Sequence, residues 1–228
     1  MDQVRGITVT ADSERASPRS GPAGGRDGVR DRIVAEALAL FREDGLAAVS
    51  MRKVAERAGV TAPAIYRHFR NKESLVVELN VAGLELLGRY LSQALAADTP
   101  YERLRRLTVR FLDFGLEQPH FFDLAFLSPD LDREHLAEEL SRPMWGTFRL
   151  AIEQISQCME QGELRRDDPL STAILIWSQA YGLITLDRMV SMGPDVGAFR
   201  SLSESSIDQL FRGLREPSSG PPETTQGA

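Results

Sequence analysis

Between Ser50 and Lys72 the chain reads SMRKVAERAGVTAPAIYRHFRNK, and the side chains there that can do chemistry are mostly cations and hydroxyls. Arg52, Lys53, Arg57, Arg67, Arg70 and Lys72 stand against Glu56 alone, a local balance of +5, with Ser50, Thr61, Tyr66 and His68 between them. Such a surface holds a polyanion: guanidinium and ammonium groups neutralise phosphates and release their counterions, and hydroxyls donate to phosphate oxygens. Nothing comparable suggests catalysis. The sequence has no nucleophile elbow, P-loop, HExxH or GxGxxG, and its carboxylates read as solvated helix faces. No enzymatic activity and no cofactor are expected. His68, His120 and His135 show no metal-ligand spacing, so no metal site is expected either. The single cysteine, Cys158, excludes an internal disulfide framework; it reads as a small residue in or near a core, the alternative being a redox sensor.

Positioning these groups requires two short helices and a sharp turn. Ser50 offers an oxygen to the free amides of a helix with Met51, Val54, Ala55 and Ala58 on one face, and Gly59 stops it where positive φ is wanted. Thr61 caps a second, very short helix with Pro63 in its first turn and Ile65 and Phe69 four apart on the buried side. Ala55, Gly59 and Ile65 supply a small residue at the helix crossing, a turn and an apolar anchor, the requirements of a helix-turn-helix. Thr61, Ala62, Pro63 and Ala64, with Tyr66 and Arg67 one turn on, are the positions that can face a DNA groove.

Ser-x-Arg-x-Val-Ala-x-x-Ala-Gly-Val-Thr-x-x-x-Ile-Tyr-x-His-Phe-x-x-Lys-x-x-Leu, from Ser50 to Leu75, resembles the DNA-binding signature of the TetR family of bacterial transcriptional regulators. Carried over residue by residue, the resemblance implies phosphate contacts from Ser50, Arg52, Tyr66, His68 and Lys72, and base contact or groove fit from Thr61, Ala62 and Pro63. The alternatives are that Ser50 and Thr61 only cap, that Tyr66 only packs and that His68 only closes its helix.

Charge distribution agrees with such a reader. The net charge is −6, but residues 1–72 hold 13 Lys and Arg against 9 Asp and Glu while the rest holds 14 against 24, balances of +4 and −10. A basic end on an acidic body leaves one end fit to approach DNA. No uninterrupted apolar run approaches the ~18 residues of a membrane helix and no signal-peptide core begins the chain, so a cytoplasmic protein without membrane partners is expected.

Residues 1–27 read as a disordered arm whose Arg5, Arg15, Arg19 and Arg26 could touch DNA, and 217–228 as a disordered tail. Residues 28–73 form the reader, with a supporting helix through Ile33, Ala37, Leu40 and Phe41. Residues 74–216 form a helical body: a long helix after Asn71, helices over 101–117 and 120–127, an acidic loop or turn over 130–140, and helices over 144–161, 168–192 and 203–215. No alternating β-pattern bounded by hairpin turns occurs, so the fold expected is all-α.

In the body, Phe111, Phe114, Phe122, Phe126, Trp145, Phe148, Trp177 and Tyr181 read either as core or, together, as the lining of an apolar ligand cavity. Trp177-Ser-Gln-Ala-Tyr181-Gly182 resembles the Trp-x-x-x-His-Gly signature of one TetR C-terminal subfamily, with tyrosine in place of histidine; a role needing imidazole does not carry over. One small reader offers too few contacts for operator selectivity, which implies a homodimer, with the apolar 169–192 helix and the 203–215 helix pairing in a four-helix bundle. The function expected is a homodimeric repressor released from its double-stranded operator by a small apolar effector. The competing expectation is a ligand-independent DNA-binding protein, which a body without a cavity of ~300 Å³ or more favours.

Overall fold

The computed structural model describes residues 26–127, 133–190 and 196–215, with side chains described from residue 28 onward except for 133–145, 147, 190 and 196. Residues 1–25 of the arm, the tail and the side chains of His135 and Trp145 lie outside these; Arg26 and Asp27, expected in the arm, instead open the first helix. Among the described residues the chain is all-α: nine helices, no strand, and one isolated bridge between Leu164 and Arg215.

Helix α1 (Arg26–Asp44) buries Ile33, Ala37, Leu40 and Phe41 and ends at Gly45, whose φ of 73° suits glycine. A 3-10 turn (Leu46–Ala48) leads to α2 (Met51–Arg57), where Ser50 Oγ accepts from the Lys53 amide at 3.2 Å. Gly59, at φ 63°, turns the chain into α3 (Ala62–Ile65), and Ile65 and Phe69 close the small core against α1 and α2. Helix α4 (Lys72–Ser92) starts on a capping box: Asn71 Oδ1 accepts from the Ser74 amide at 2.9 Å, and Ser74 Oγ answers the Asn71 amide at 3.3 Å. A 3-10 turn (Gln93–Ala96) then ends it where the sequence allows helix as far as Ala97.

In the body, α5 (Pro100–Glu117) packs against α4, α7 (Arg133–Glu160), α8 (Pro169–Val190) and α9 (Val196–Leu214). Its central position follows from Leu104, Leu107, Leu112 and Phe114, all buried, and from Gly115, which lets α8 approach so closely that a Cβ there would lie 2.4 Å from Ile184 Cδ1. Asp113, also buried, is held by Arg110 at 3.0 Å and by Arg200 of α9 at 2.8 Å. A four-residue helix α6 (Pro119–Phe122) and a π-turn (Asp123–Leu127) follow α5. Arg188 of α8 ties this corner down: it donates to the carbonyls of Gly115 and Pro119 at 3.1 and 3.2 Å, pairs with Asp123 and lies 5.0 Å over the Phe122 ring.

Three expectations change. Helix α7 starts at Arg133, so residues 133–140 are helical rather than an acidic loop; glutamate, alanine and leucine there favour helix even without an apolar stripe to announce it. Helix α9 starts at Val196, about two turns before the expected start at 203. Helix α8 starts as its Asp168-Pro169 pair predicts, Asp168 Oδ2 accepting from the Ser171 amide and hydroxyl at 2.8 and 2.7 Å. Apolar residues on several of its sides call for more than one buried face, yet Leu170, Ile174, Leu175, Leu186 and Met189 are exposed, Met189 at 77%. By length and composition α8 could cross a membrane, but Ala173, Ile176, Ala180 and Ile184 bury its other side against the body.

Candidate nucleic-acid interface and interior cavity

Helix α3 presents its N-terminal end to solvent. Thr61, Ala62 and Pro63 are exposed, whereas Ile65 one turn on is fully buried, so a single anchor fixes the protruding end. Thr61 occupies the cap position but its hydroxyl makes no capping hydrogen bond, which leaves it available to a base edge or phosphate. Tyr66, next to the anchor, is 55% exposed. Ser50 caps and remains a donor: it uses a lone pair for the Lys53 amide, and its O–H stays free.

The cations divide. Arg52, Lys53, Arg67 and Arg70 are exposed, and among the described residues none has an ion-pair partner. Arg57, counted with them from sequence, is held by α1: its Nε donates to Glu36 at 3.1 Å and its Nη1 to Glu43 at 2.9 Å. The paired guanidinium holds the Glu43 carboxyl below the usual carboxylate range. Arg57 therefore braces α2 against α1 and adds no free charge. Lys72 is half-buried, with Nζ on the Leu46 carbonyl at 3.2 Å, so in the protein alone the backbone of the 3-10 turn receives its ammonium. His68 is also half-buried.

The body contains a partly open cavity of about 80 Å³ between α4, α5, α7 and α8. Phe111, Phe126, Phe148 and Trp177 line it with aliphatic side chains such as Leu87, Leu104, Ile155 and Ile176, and with Thr108. Phe114 lies elsewhere, fully buried with its ring centroid 5.7 Å from that of Tyr90. Phe122 and Tyr181 pack against each other behind the lining, rings tilted by 44° with centroids 5.6 Å apart, and Phe122 touches the rings of Phe111 and Phe126. The aliphatic contributors went unnamed in the sequence reading, although Leu104, Thr108 and Phe111 share one face of α5 and could have been found there. The polar groove at the α7–α8 turn is wider, about 440 Å³, but Glu160, Gln161, Arg165 and Arg166 make it unsuited to an apolar ligand. Cys158, on α7, is fully buried; burial, with Glu163 beside it, pushes its thiol up to about 12.

The reader meets the body at α6. Phe121 packs edge-on to Phe41 of α1, centroids 5.0 Å apart, and presses on α4 at Gly83, where a Cβ would lie 2.8 Å from its ring. His120 fills the space over Gly45 at the end of α1. Phe122, the next residue, faces the aromatic group behind the cavity.

Residues 33–79 match the family model for bacterial regulatory proteins of the tetR family, and residues 104–211 match a tetracyclin repressor-like C-terminal domain. Among curated proteins the chain is 25% identical to the probable acrEF/envCD operon repressor of Escherichia coli K12 over 72% of this chain and 77% of that protein. Among solved structures it resembles a Rhodococcus sp. RHA1 protein of unknown function at TM-score 0.70 and 20% identity, covering 88% of this chain and 100% of the other. It likewise resembles the transcriptional regulator FadR from Bacillus subtilis, solved with stearoyl-CoA, at TM-score 0.63 and 19% identity, covering 81% of this chain and 99% of the other.

Proposed function

From a chain that belongs to the TetR family of DNA-binding transcriptional regulators, we propose a homodimeric repressor, acting in the cytoplasm, that a small apolar effector releases from its operator. Residues 28–73 are the reader and 74–216 the effector-binding and dimerising body. Ser50, Arg52, Tyr66, His68 and Lys72 hold phosphates, and Thr61, Ala62 and Pro63 enter the major groove. Lys72 gives up the Leu46 carbonyl for a phosphate at the N-terminus of α4, where the helix dipole also favours an anion.

The observation that carries the release step is the pair Phe121 and Phe122. Consecutive side chains on one short helix touch the reader on one side and the group behind the cavity on the other. A ligand that moves Phe126 or Phe111 displaces Phe122, hence α6, hence the seat of α1. It weakens DNA binding only to the extent that it prefers the displaced state. The dimer is supported by the exposed strip of α8: Ile174, Leu186 and Met189 lie on it with Gly182, which has nothing within 4 Å of where a side chain would be. Exposed Leu202 of α9 adds to it. A patch of this character on a soluble protein marks an interface.

Gel shifts on the DNA flanking the protein's own gene test the reading. A specific complex at moderate salt, dissolved by micromolar apolar compound, supports it; no specific complex on any flanking fragment counts against it. The size of the cavity favours the second reading. About 80 Å³ is well short of the ~300 Å³ of ordinary ligand sites, so an effector must be small or part the walls, and a body serving only dimerisation is what remains if no apolar compound binds.

A further inference from the structure

We propose that the cavity takes an uncharged carbonyl compound, and that the indole N–H of Trp177 is the group that receives its oxygen. The inference rests on the cavity being a ligand site. Trp177 lines the cavity, and its Nε1 is buried without a hydrogen-bond partner. Aromatic rings surround it: Phe148, Phe111 and Phe126 at centroid distances of 4.9, 6.3 and 6.2 Å, none offering a conventional acceptor. A buried donor left unpaired loses the hydrogen bond it had to water, and native proteins satisfy the great majority of such groups.

The other walls define the remainder of the ligand. Among the described residues, the one further polar side chain in the lining, Thr108, donates its hydroxyl to the Leu104 carbonyl at 3.0 Å and so has no proton left to give an acceptor. Among the described residues the lining includes no arginine, lysine or histidine, so a carboxylate or phosphate would meet no counter-charge from them and is disfavoured by desolvation. What fits is an alkyl skeleton with one neutral acceptor, as in a ketone, ester or thioester. With about 80 Å³ available, roughly half the ~150 Å³ of an apolar cavity that binds benzene, the part of the ligand held here is short.

The test uses two probes of one shape, 2-pentanone and 2-methyl-1-pentene, in which the carbonyl oxygen is replaced by a methylene. Their affinities are measured by calorimetry on the full-length protein and on Trp177→Phe, which keeps an aromatic ring and removes the donor. The ratio of ketone to alkene affinity is expected to fall about five- to tenfold in the variant, the size of one buried hydrogen bond. In the unaltered protein the Trp177 indole resonance, identified as the one that remains in Trp145→Phe, should move downfield with the ketone and not with the alkene; this readout does not depend on how Trp177→Phe folds. Binding of both probes with an unchanged ratio and an unmoved indole resonance overturns the assignment to Trp177 and leaves the cavity a ligand site. Binding of neither probe at millimolar concentration overturns both.

Discussion

Replacing Gly115 with alanine puts a methyl group into Ile184. The new Cβ would lie 2.4 Å from Cδ1, 2.7 Å from Cγ1 and 2.8 Å from Cγ2, where carbon atoms in contact normally stand about 3.5–4.0 Å apart. Rotation about the outer bond moves Cδ1 alone. Cγ1 and Cγ2 branch from one carbon, so relieving both contacts requires α5 and α8 to part by roughly 1 Å in an interior packed like a crystal. Overpacking of this kind costs about 1–3 kcal/mol, offset by up to ~1 kcal/mol because alanine favours helix over glycine. The expected net loss is about 1–2 kcal/mol, a fall in Tm of roughly 2–8 °C for a chain of this size. Urea denaturation followed by circular dichroism, at fixed protein concentration, measures it. The decisive comparison is a cycle with Ile184→Ala, which alone should cost about 2–5 kcal/mol by leaving a cavity. Since the methyl at 115 would occupy part of that cavity, the double variant should be more stable than the summed losses by about 1 kcal/mol or more. Strictly additive losses, or a Gly115→Ala protein as stable as the parent, would refute the close approach of α5 and α8.

The reader makes a contrast testable: on a fragment retarded in gel shifts, Arg52→Ala should flatten the slope of log affinity against log salt by about 1, whereas Arg57→Ala, whose guanidinium is already held by Glu36 and Glu43, should leave the slope nearly unchanged; equal effects would contradict the division of the cations. The Cys158 thiol, raised to about 12, should resist a disulfide reagent at pH 8 in the folded protein and react stoichiometrically in guanidinium, and reaction at the rate of an exposed thiol would show that it is not buried. The Asp168 carboxyl is held below the usual range chiefly by the Ser171 hydroxyl, with the Ser171 amide adding to it. A depressed folded value means stabilisation above the unfolded value of ~3.9 that is lost as pH falls through the lower folded one. The melting-temperature gap between the parent and Asp168→Ala should therefore be open near neutrality and close as pH falls below the ordinary aspartate range; a gap independent of pH would rule out a charged cap.

Much of the reader was legible because its structure is decided locally. Ser50, Gly59, Pro63 and Asn71 act within a turn of themselves, and the apolar spacing of Ile33 to Phe41 and of Ile65 to Phe69 needs only one buried side. The partners of Arg57 were not legible, because Glu36 and Glu43 stand on another helix and only the crossing of α1 and α2 brings them near. The cavity was half legible for the same reason. Aromatic residues at helical spacing mark a buried face without saying which neighbour it meets, so Phe111, Phe126, Phe148 and Trp177 reached the lining while Phe114 turned to Tyr90 and Tyr181 to Phe122. The start of α7 was hidden because residues 133–140 have helix-forming composition and no stripe.

Helix α6 also limits how this protein can diverge. Residues Phe148 and Trp177, on α7 and α8, can be exchanged to change what the cavity accepts with least effect on α6, whereas Phe111 and Phe126 touch Phe122 and pass part of any change on to it. Phe122 cannot be exchanged so freely, since the backbone that carries it carries Phe121 against Phe41 and Gly83. A new preference built at Phe122 would alter the resting position of the reader in the same step. Drift in specificity should therefore accumulate on α7 and α8, while the four residues of α6 evolve together with α1 and α4.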